Sequence, residues 1–404
     1  DINNDGLTDI FITDMLPEPD QRVKSVMEFE GYNVFKLKQS KDFHQQYIQN
    51  TLQLNNGNGS FSEIAYYSGV EATDWSWSGL LFDMDNDGLK DIYITNGINH
   101  DLTDLDFVDF FANEIIQKMA LTGRKESIDS IINKMPVTPL PNYAYRNNGD
   151  ITFSNYNKQW GFEIPSRSNG SAYGDLDNDG DLDLVVNNVN METFVYRNNS
   201  ETESSNNYIK LKFEGSDGNR FGIGTIARLY YPNNIIDQTL MPSRGFQSSV
   251  DYPMTIGLGT TTILDSVRII WPNDVTVKLT NVKANQSITF VQDEAEEIYK
   301  IKKENKTTIL NQIENKTLLT HKENNYMDFD NEGLISRSLA EEGPGLTVGD
   351  VNGDGNDDIF IGGGKEQSGA LYLHTGDGIL SKPIIKYFEK EALLEDTAAS
   401  FFDS

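Results

Sequence analysis

One short pattern, written four times, restricts this chain more than any other feature. The first copy reads Asp1-Ile-Asn3-Asn-Asp5-Gly6-Leu7-Thr-Asp9. The second runs from Asp83 through Asp85, Asp87 and Gly88 to Asp91, and the third from Asp175 through Asp177, Asp179 and Gly180 to Asp183. The fourth runs from Asp350 through Asn352, Asp354 and Gly355 to Asp358. All fit D-x-[DN]-x-D-G-x-x-D, and a pattern repeated in register implies a repeated structural unit.

The spacing matches a hard cation. Calcium takes about 6–8 oxygen ligands at about 2.3–2.6 Å. Positions 1, 3, 5 and 9 supply side-chain oxygens. Position 7 is expected to give a backbone carbonyl, so its side chain is free to vary. It does: Leu7, Leu89, Asp181 and Asn356. The position-6 glycine permits the sharp turn around the ion. Without a cation the crowded carboxylates repel one another. Ca2+ is therefore the expected cofactor. Two rival readings are an EF-hand and a set of solvated turns that bind nothing. An EF-hand needs a bidentate Glu at position 12 and flanking helices. Position 12 here is Ile12, Ile94, Val186 and Ile361. Four copies in register argue against idle turns.

The residues after each loop run or alternate apolar, as in Ile92-Tyr-Ile and Ile359-Phe-Ile, and predict strands. A second signature comprises Asn55-Asn-Gly57-Asn-Gly59, Arg146-Asn-Asn-Gly149 and His374-Thr-Gly376-Asp-Gly378, which are hairpin turns. Strand, acid loop, strand, connection, strand, turn, strand is the order of a four-stranded propeller blade. Loops starting at 1, 83 and 175 stand 82 and 92 residues apart, about twice a usual blade, so insertions or degenerate blades lie between them.

At Ala172-Tyr-Gly-Asp-Leu-Asp-Asn-Asp-Gly-Asp and Thr347-Val-Gly-Asp-Val-Asn-Gly-Asp-Gly the chain resembles the FG-GAP/VCBS repeat proteins over residues 1–200 and 341–404. That resemblance implies an all-β fold of integrin-α-like β-propeller blades, calcium binding, and a secreted, extracellular or outer-membrane-surface setting. Residues 206–293 resemble the ASPIC/UnbV domain. The matching stretches are Gly215 to Gly224, Gly245-Phe-Gln-Ser-Ser, Ile256-Gly-Leu-Gly259 and Asp265-Ser-Val-Arg-Ile-Ile-Trp-Pro272. Its alternating strands predict a β-sandwich-like domain. The pairing resembles bacterial members of the cartilage acidic protein-like family. A charged linker is expected over 294–340, and a second propeller is expected to begin at 341. The chain starts at Asp1 inside a repeat unit and stops at Ser404 shortly after another repeat has begun, so it reads as a piece of a longer protein.

Composition sharpens this. The net charge of −29 argues against nucleic acid and against an anionic membrane surface, and favours cations as partners. There is no cysteine, so no disulfide framework is available. No transmembrane segment is evident. Residues 99–135 carry apolar residues at helical spacing, with Asp101 or Thr103 as the expected cap, and read as a helical insertion. Residues 20–50 form another, with Phe29, Tyr32, Phe35, Phe43 and Tyr47 expected to cluster. The histidines His44, His100, His321 and His374 sit in unrelated contexts, and H-E-x-x-H, G-x-S-x-G and P-loop motifs are missing. No catalytic residue is assigned. Trp75 and Trp77 are read either as packing between blades or as a platform for a sugar ring. The expected function is a calcium-binding surface module for protein or glycan binding or adhesion. The alternatives are a propeller-scaffold hydrolase or lyase acting on polysaccharide, and a purely structural spacer.

Overall fold

The computed structural model describes residues 1–402 apart from 29, 124–127, 217, 233, 296, 300–309, 311–317, 324–325, 333, 336, 338, 341 and 377–379. Two compact units form, Asp1–Glu30 with Leu37–Lys302, and Gly31–Lys36 with Lys303–Ser404.

The first unit opens with three small antiparallel sheets. One contains β1 (Ile10–Ile12), β2 (Thr51–Asn55) and β3 (Phe61–Glu63). The next contains β4 (Ser76–Phe82), β5 (Asp91–Asn96), β6 (Tyr143–Asn147) and β7 (Phe153–Asn155). The third contains β8 (Ser168–Gly174), β9 (Asp183–Asn188) and β10 (Phe194–Tyr196). All are simple meanders, as blades are, but only the second has the four strands expected of every repeat. After β10 the chain turns into a short helix. The side chains of Asn198 and Ser200 hold that exit by donating to the Met84 carbonyl at 2.7 and 2.9 Å.

The central strand shows how the sheets stack. All six residues of β5 are buried. Alternation sends Ile92 and Ile94 to one face, where they join Ile2, Leu52, Val70 and Phe153 of a first core. Tyr93 points the other way, into a second core with Leu80, Leu184 and Val186. Each such side chain contributes about 1.5–3 kcal/mol when fully buried. The middle sheet is therefore covered on both faces by its neighbours, as a propeller blade is.

Eight further strands follow: β11 (Asn207–Glu214), β12 (Ile226–Tyr231), β13 (Asn234–Thr239), β14 (Met254–Gly259), β15 (Ile263–Ile270), β16 (Val275–Lys283), β17 (Gln286–Val291) and β18 (Glu297–Ile298). They make one sheet of order β14-β11-β17, with β11 and β17 parallel, and another of order β13-β12-β15-β16-β18. One apolar core including Ile209, Leu211, Leu229, Val267 and Trp271 lies between them. This is the expected sandwich. It belongs to the same compact unit as the three blades.

The helices are short. In chain order they are α1 (Asp20–Val26), α2 (Tyr32–Ser40), α3 (Ala65–Ser68), α4 (Asn113–Thr122) preceded by a π-turn over Phe107–Ala112, α5 (Ile128–Ile132), α6 (Asn157–Trp160) and α7 (Ser200–Glu203). The 99–135 insertion is helical as expected and packs by Phe107 and Ile115. Its cap differs from expectation: Asp104 accepts the Phe107 amide at 2.7 Å. Asp101 is buried and paired with Arg22. In the 20–50 insertion Phe43 and Tyr47 are exposed, so no aromatic cluster forms around them, and Phe29 lies outside the described residues.

The second unit carries one sheet, β19 (Leu346–Gly349), β20 (Asp358–Ile361) and β21 (Ala370–Tyr372), antiparallel throughout. About half of the expected linker, and Gly378 of the third hairpin turn, lie outside the described residues.

Candidate metal centres

Each acid loop is first organised by its own amides. Asp83 accepts from the N–H of Asp87 at 3.1 Å and of Gly88 at 2.8 Å. Asp1 does the same with Asp5 and Gly6, and Asp350 with Asp354 and Gly355. The position-5 carboxylate accepts the position-7 amide, as Asp87 does from Leu89 at 2.8 Å. These are Asx-type bonds that only short polar side chains can make. Position 6 has φ between +84° and +102° in the four loops, where glycine avoids strain. Position 4 is also left-handed, and holds Asn4, Asn86, Asn178 and Gly353, the residues that tolerate it.

Position 9 has a second task. In all four loops its carboxylate accepts two backbone amides, one from position 2 and one from the next hairpin. Asp91 takes Met84 and Asn147, each at 2.9 Å, and Asp358 takes Val351 at 3.0 Å and His374 at 2.8 Å. Asp9 pairs likewise with Ile2 and Asn55, and Asp183 with Leu176 and Asn198. The remaining lone pairs stay available to a cation.

Successive loops are linked. Asn4 donates to the Gly88 carbonyl at 2.9 Å, and Asn86 to the Gly180 carbonyl at 3.1 Å. Asn178 instead meets Lys210 of β11, whose Nζ lies 3.2 Å from Asn178 and 2.7 Å from Asp175. The sandwich thus caps the row of loops. Its β14 lies on the second loop, with the Gly259 amide bonded to the Asn86 carbonyl at 2.9 Å. At Gly257 a Cβ would stand 2.6 Å from the Asn86 backbone, so only glycine permits that approach.

A basic residue accompanies the two loops with Asp at position 3. Arg146 binds Asp85 at 2.8 Å and Asp87 at 2.6 Å. Arg197 binds Asp177 at 2.8 Å and Asp179 at 3.2 Å. The equivalent residues beside the first and fourth loops, which have Asn3 and Asn352, are Leu54 and Leu373. The extra acid and its arginine occur together. The signal was present in Arg146-Asn-Asn and Arg197-Asn-Asn but is invisible until the strands are aligned through position 9.

Among the described residues, three carboxylate groups converge with ligand atoms within 4.8 Å: Asp83/Asp85/Asp91, Asp175/Asp177/Asp179 and Asp179/Asp181/Glu201. Burial pushes Asp83 well above the carboxylate range, helped by the charges of Asp87 and Asp85. Asp91 is raised by burial, then by Asp83 and Asp85. Burial lowers Lys90 to about 8. In the fourth loop, by contrast, the Gly355 amide holds Asp350 below its usual value, and the Asn356 amide does so for Asp354. Asp175 Oδ1 and Asp181 Oδ1 are buried and have no hydrogen-bond partner among the described residues. Carboxylate oxygens clustered and partly unpaired fit a hard divalent cation.

Elsewhere, Trp77 donates its indole N–H to the Gly97 carbonyl at 2.7 Å and packs on Phe246 at 4.8 Å between centroids. Trp77 thus packs, though its ring partner belongs to the segment between β13 and β14 rather than to a neighbouring blade. His321 lies 3.2 Å from Glu323, His374 engages Asp358 by its backbone amide, and His44 is exposed. A cleft of about 440 Å3 beside the second and third sheets is lined by Phe82, Trp160, Phe162, Tyr196, Arg197 and Asn198. No described helix is long and apolar enough to cross a membrane.

The sheets and loops define an all-β repeat protein with acid-loop blades. The FG-GAP-like repeat model matches residues 1–94 and 134–186, and the ASPIC and UnbV model matches residues 215–297. The chain is an FG-GAP repeat protein with an ASPIC and UnbV domain. No curated protein matches it.

Proposed function

We propose that this chain is a calcium-stabilised, extracellular β-propeller module of the integrin-α-like kind, which binds a protein or glycan at a cell surface. The observation that carries the metal reading is the convergence of carboxylates in the second and third loops, with buried, unpaired oxygens on Asp175 and Asp181 of the third. Asp1, Asn3, Asp5 and Asp9 and their counterparts in the other loops hold the ion, and the position-7 carbonyl completes the set. The ion screens repulsion that the fold otherwise carries at Asp83 and Asp91. Its role is structural: the second, third and fourth loops each join two strands, and all four are stapled to the next hairpin.

The module is proposed to bind rather than to catalyse, since its repeated acid loops read as structural cation sites and the sequence carries no recognised catalytic motif. The aromatic cleft at Trp160 and Tyr196 favours a sugar ring as the partner's contact, because aromatic faces stack on apolar ring faces. Two measurements test this. Thermal unfolding in chelator, then in excess calcium, is expected to show a large recovery of melting temperature. An unchanged melting temperature sinks the metal reading. Binding on a glycan array is expected to weaken in Trp160→Ala, and equal binding by that variant removes the cleft from the proposal.

A further inference from the structure

The third loop differs from the other three in ways that converge on one point. Position 7 is Leu7, Leu89 or Asn356 in the others, but here it is Asp181, whose residue is 0% exposed. Its Oδ1 has no hydrogen-bond partner among the described residues. Its carboxylate accepts the Glu201 amide at 3.3 Å through Oδ2 and also meets the Glu201 carboxyl group. Leaving a buried carboxylate oxygen unpaired costs far more than leaving a neutral group so. Asp181, Asp179 and Glu201 of α7 bring ligand atoms within 4.8 Å of one another, beside the Asp175/Asp177/Asp179 group and sharing Asp179 with it.

Charge points the same way. Asp175, Asp177, Asp179, Asp181, Asp183 and Glu201 face two fixed cations, Arg197 and Lys210. Four negative charges remain, which is twice what one divalent ion neutralises. Position 1 is also rearranged: Asp175 gives one oxygen to Lys210 and keeps the other unpartnered, whereas Asp83 and Asp350 are bonded by loop amides.

We propose that the third loop is a two-ion centre, with a second divalent cation held by Asp179, Asp181 and Glu201. This rests on the reading of the loops as calcium sites. Asp181 therefore ligates by its side chain, not merely through its carbonyl. Glu201, in the short helix that leads to the sandwich, ties the ion to the segment joining blades and sandwich.

Native mass spectrometry of the full chain in calcium counts bound ions. Glu201→Gln, at an exposed position, is expected to lose one ion relative to wild type, and Asp175→Asn, at the position-1 acid that all four loops share, to lose one. The double variant is expected to lose two. If the double variant loses only one, or if Glu201→Gln loses none, the third loop holds a single ion and the proposal is overturned. If wild type binds no calcium, the calcium reading of all four loops falls and this proposal falls with it. Asp181→Asn checks the Glu201 result independently, and matching circular dichroism spectra confirm that the variants are folded.

Discussion

The second and fourth loops share one motif and one set of internal hydrogen bonds, yet their electrostatics are opposite. Asp83 and Asp91 are raised well above their ordinary values and Asp87 is raised as well, with burial as the largest cause in each. Asp350 and Asp354 are lowered by backbone amides and stand in solvent. The loop amides favour ionised acids in both. In the second loop β14 of the sandwich lies on the turn, with Gly257 against Asn86, and desolvation overrides them. The same nine-residue motif is a satisfied turn in one place and a desolvated carboxylate cluster in the other. On the proposed calcium reading, burial rather than the motif sets how much each loop gains from an ion.

The largest expected effect tests that contrast directly. Chelator is expected to raise hydrogen exchange strongly in peptides covering 83–91 and 175–183, and far less in those covering 350–358. A saturating ion at about 1,000 times its Kd stabilises by about 4 kcal/mol per site. Equal responses in all peptides break the comparison.

Next is Gly257→Ala, which forces β14 off the second loop. It is expected to cost about 1–3 kcal/mol by overpacking and to weaken calcium binding there while sparing the fourth loop. Urea unfolding and calcium titration read the two effects.

The pH response follows. A carboxylate raised in the folded state binds protons there that the unfolded chain has lost, so stability falls as pH rises between the two values. Asp181 is raised to about 8 by burial, then by its bond to Glu201 and the charge of Asp179. Chelated protein is therefore expected to lose stability as pH rises from about 4 to about 8. Excess calcium is expected to flatten that slope. Asp350 and Asp354 act in the opposite sense, contributing stability at neutral pH that is lost in acid. A chelated protein whose stability rises steadily over that range contradicts the assignment.

The smallest effect is expected from Arg146→Leu, which gives the second loop the neighbour that the first and fourth have. Ion-free stability should fall by about 1 kcal/mol, since the pair is partly exposed. Calcium-saturated stability should hardly change. An equal loss in both states would mean that Arg146 supports packing rather than charge.

Much of this was legible beforehand. The acid spacing, position-6 glycine and following strands identified the loops, and Ile12, Ile94, Val186 and Ile361 excluded an EF-hand. The Gly257 region was recognisable as a pattern, though its purpose appears only where β14 meets Asn86. Four strands in every blade could not be read correctly, because the exit after β10 is held by bonds from Asn198 and Ser200 to Met84, more than a hundred residues away in sequence.

Local chemistry explains the division. Asx turns, left-handed positions and alternating strands depend on neighbours within a few residues, so the sequence alone determined the loops and the all-β class. Which carboxylates are buried, that Arg146, Arg197 and Lys210 compensate them, and that Glu201 joins Asp181 depend on which distant segments meet. Only the tertiary structure decided those, because desolvation and Coulomb energy are set by distance in space rather than along the chain.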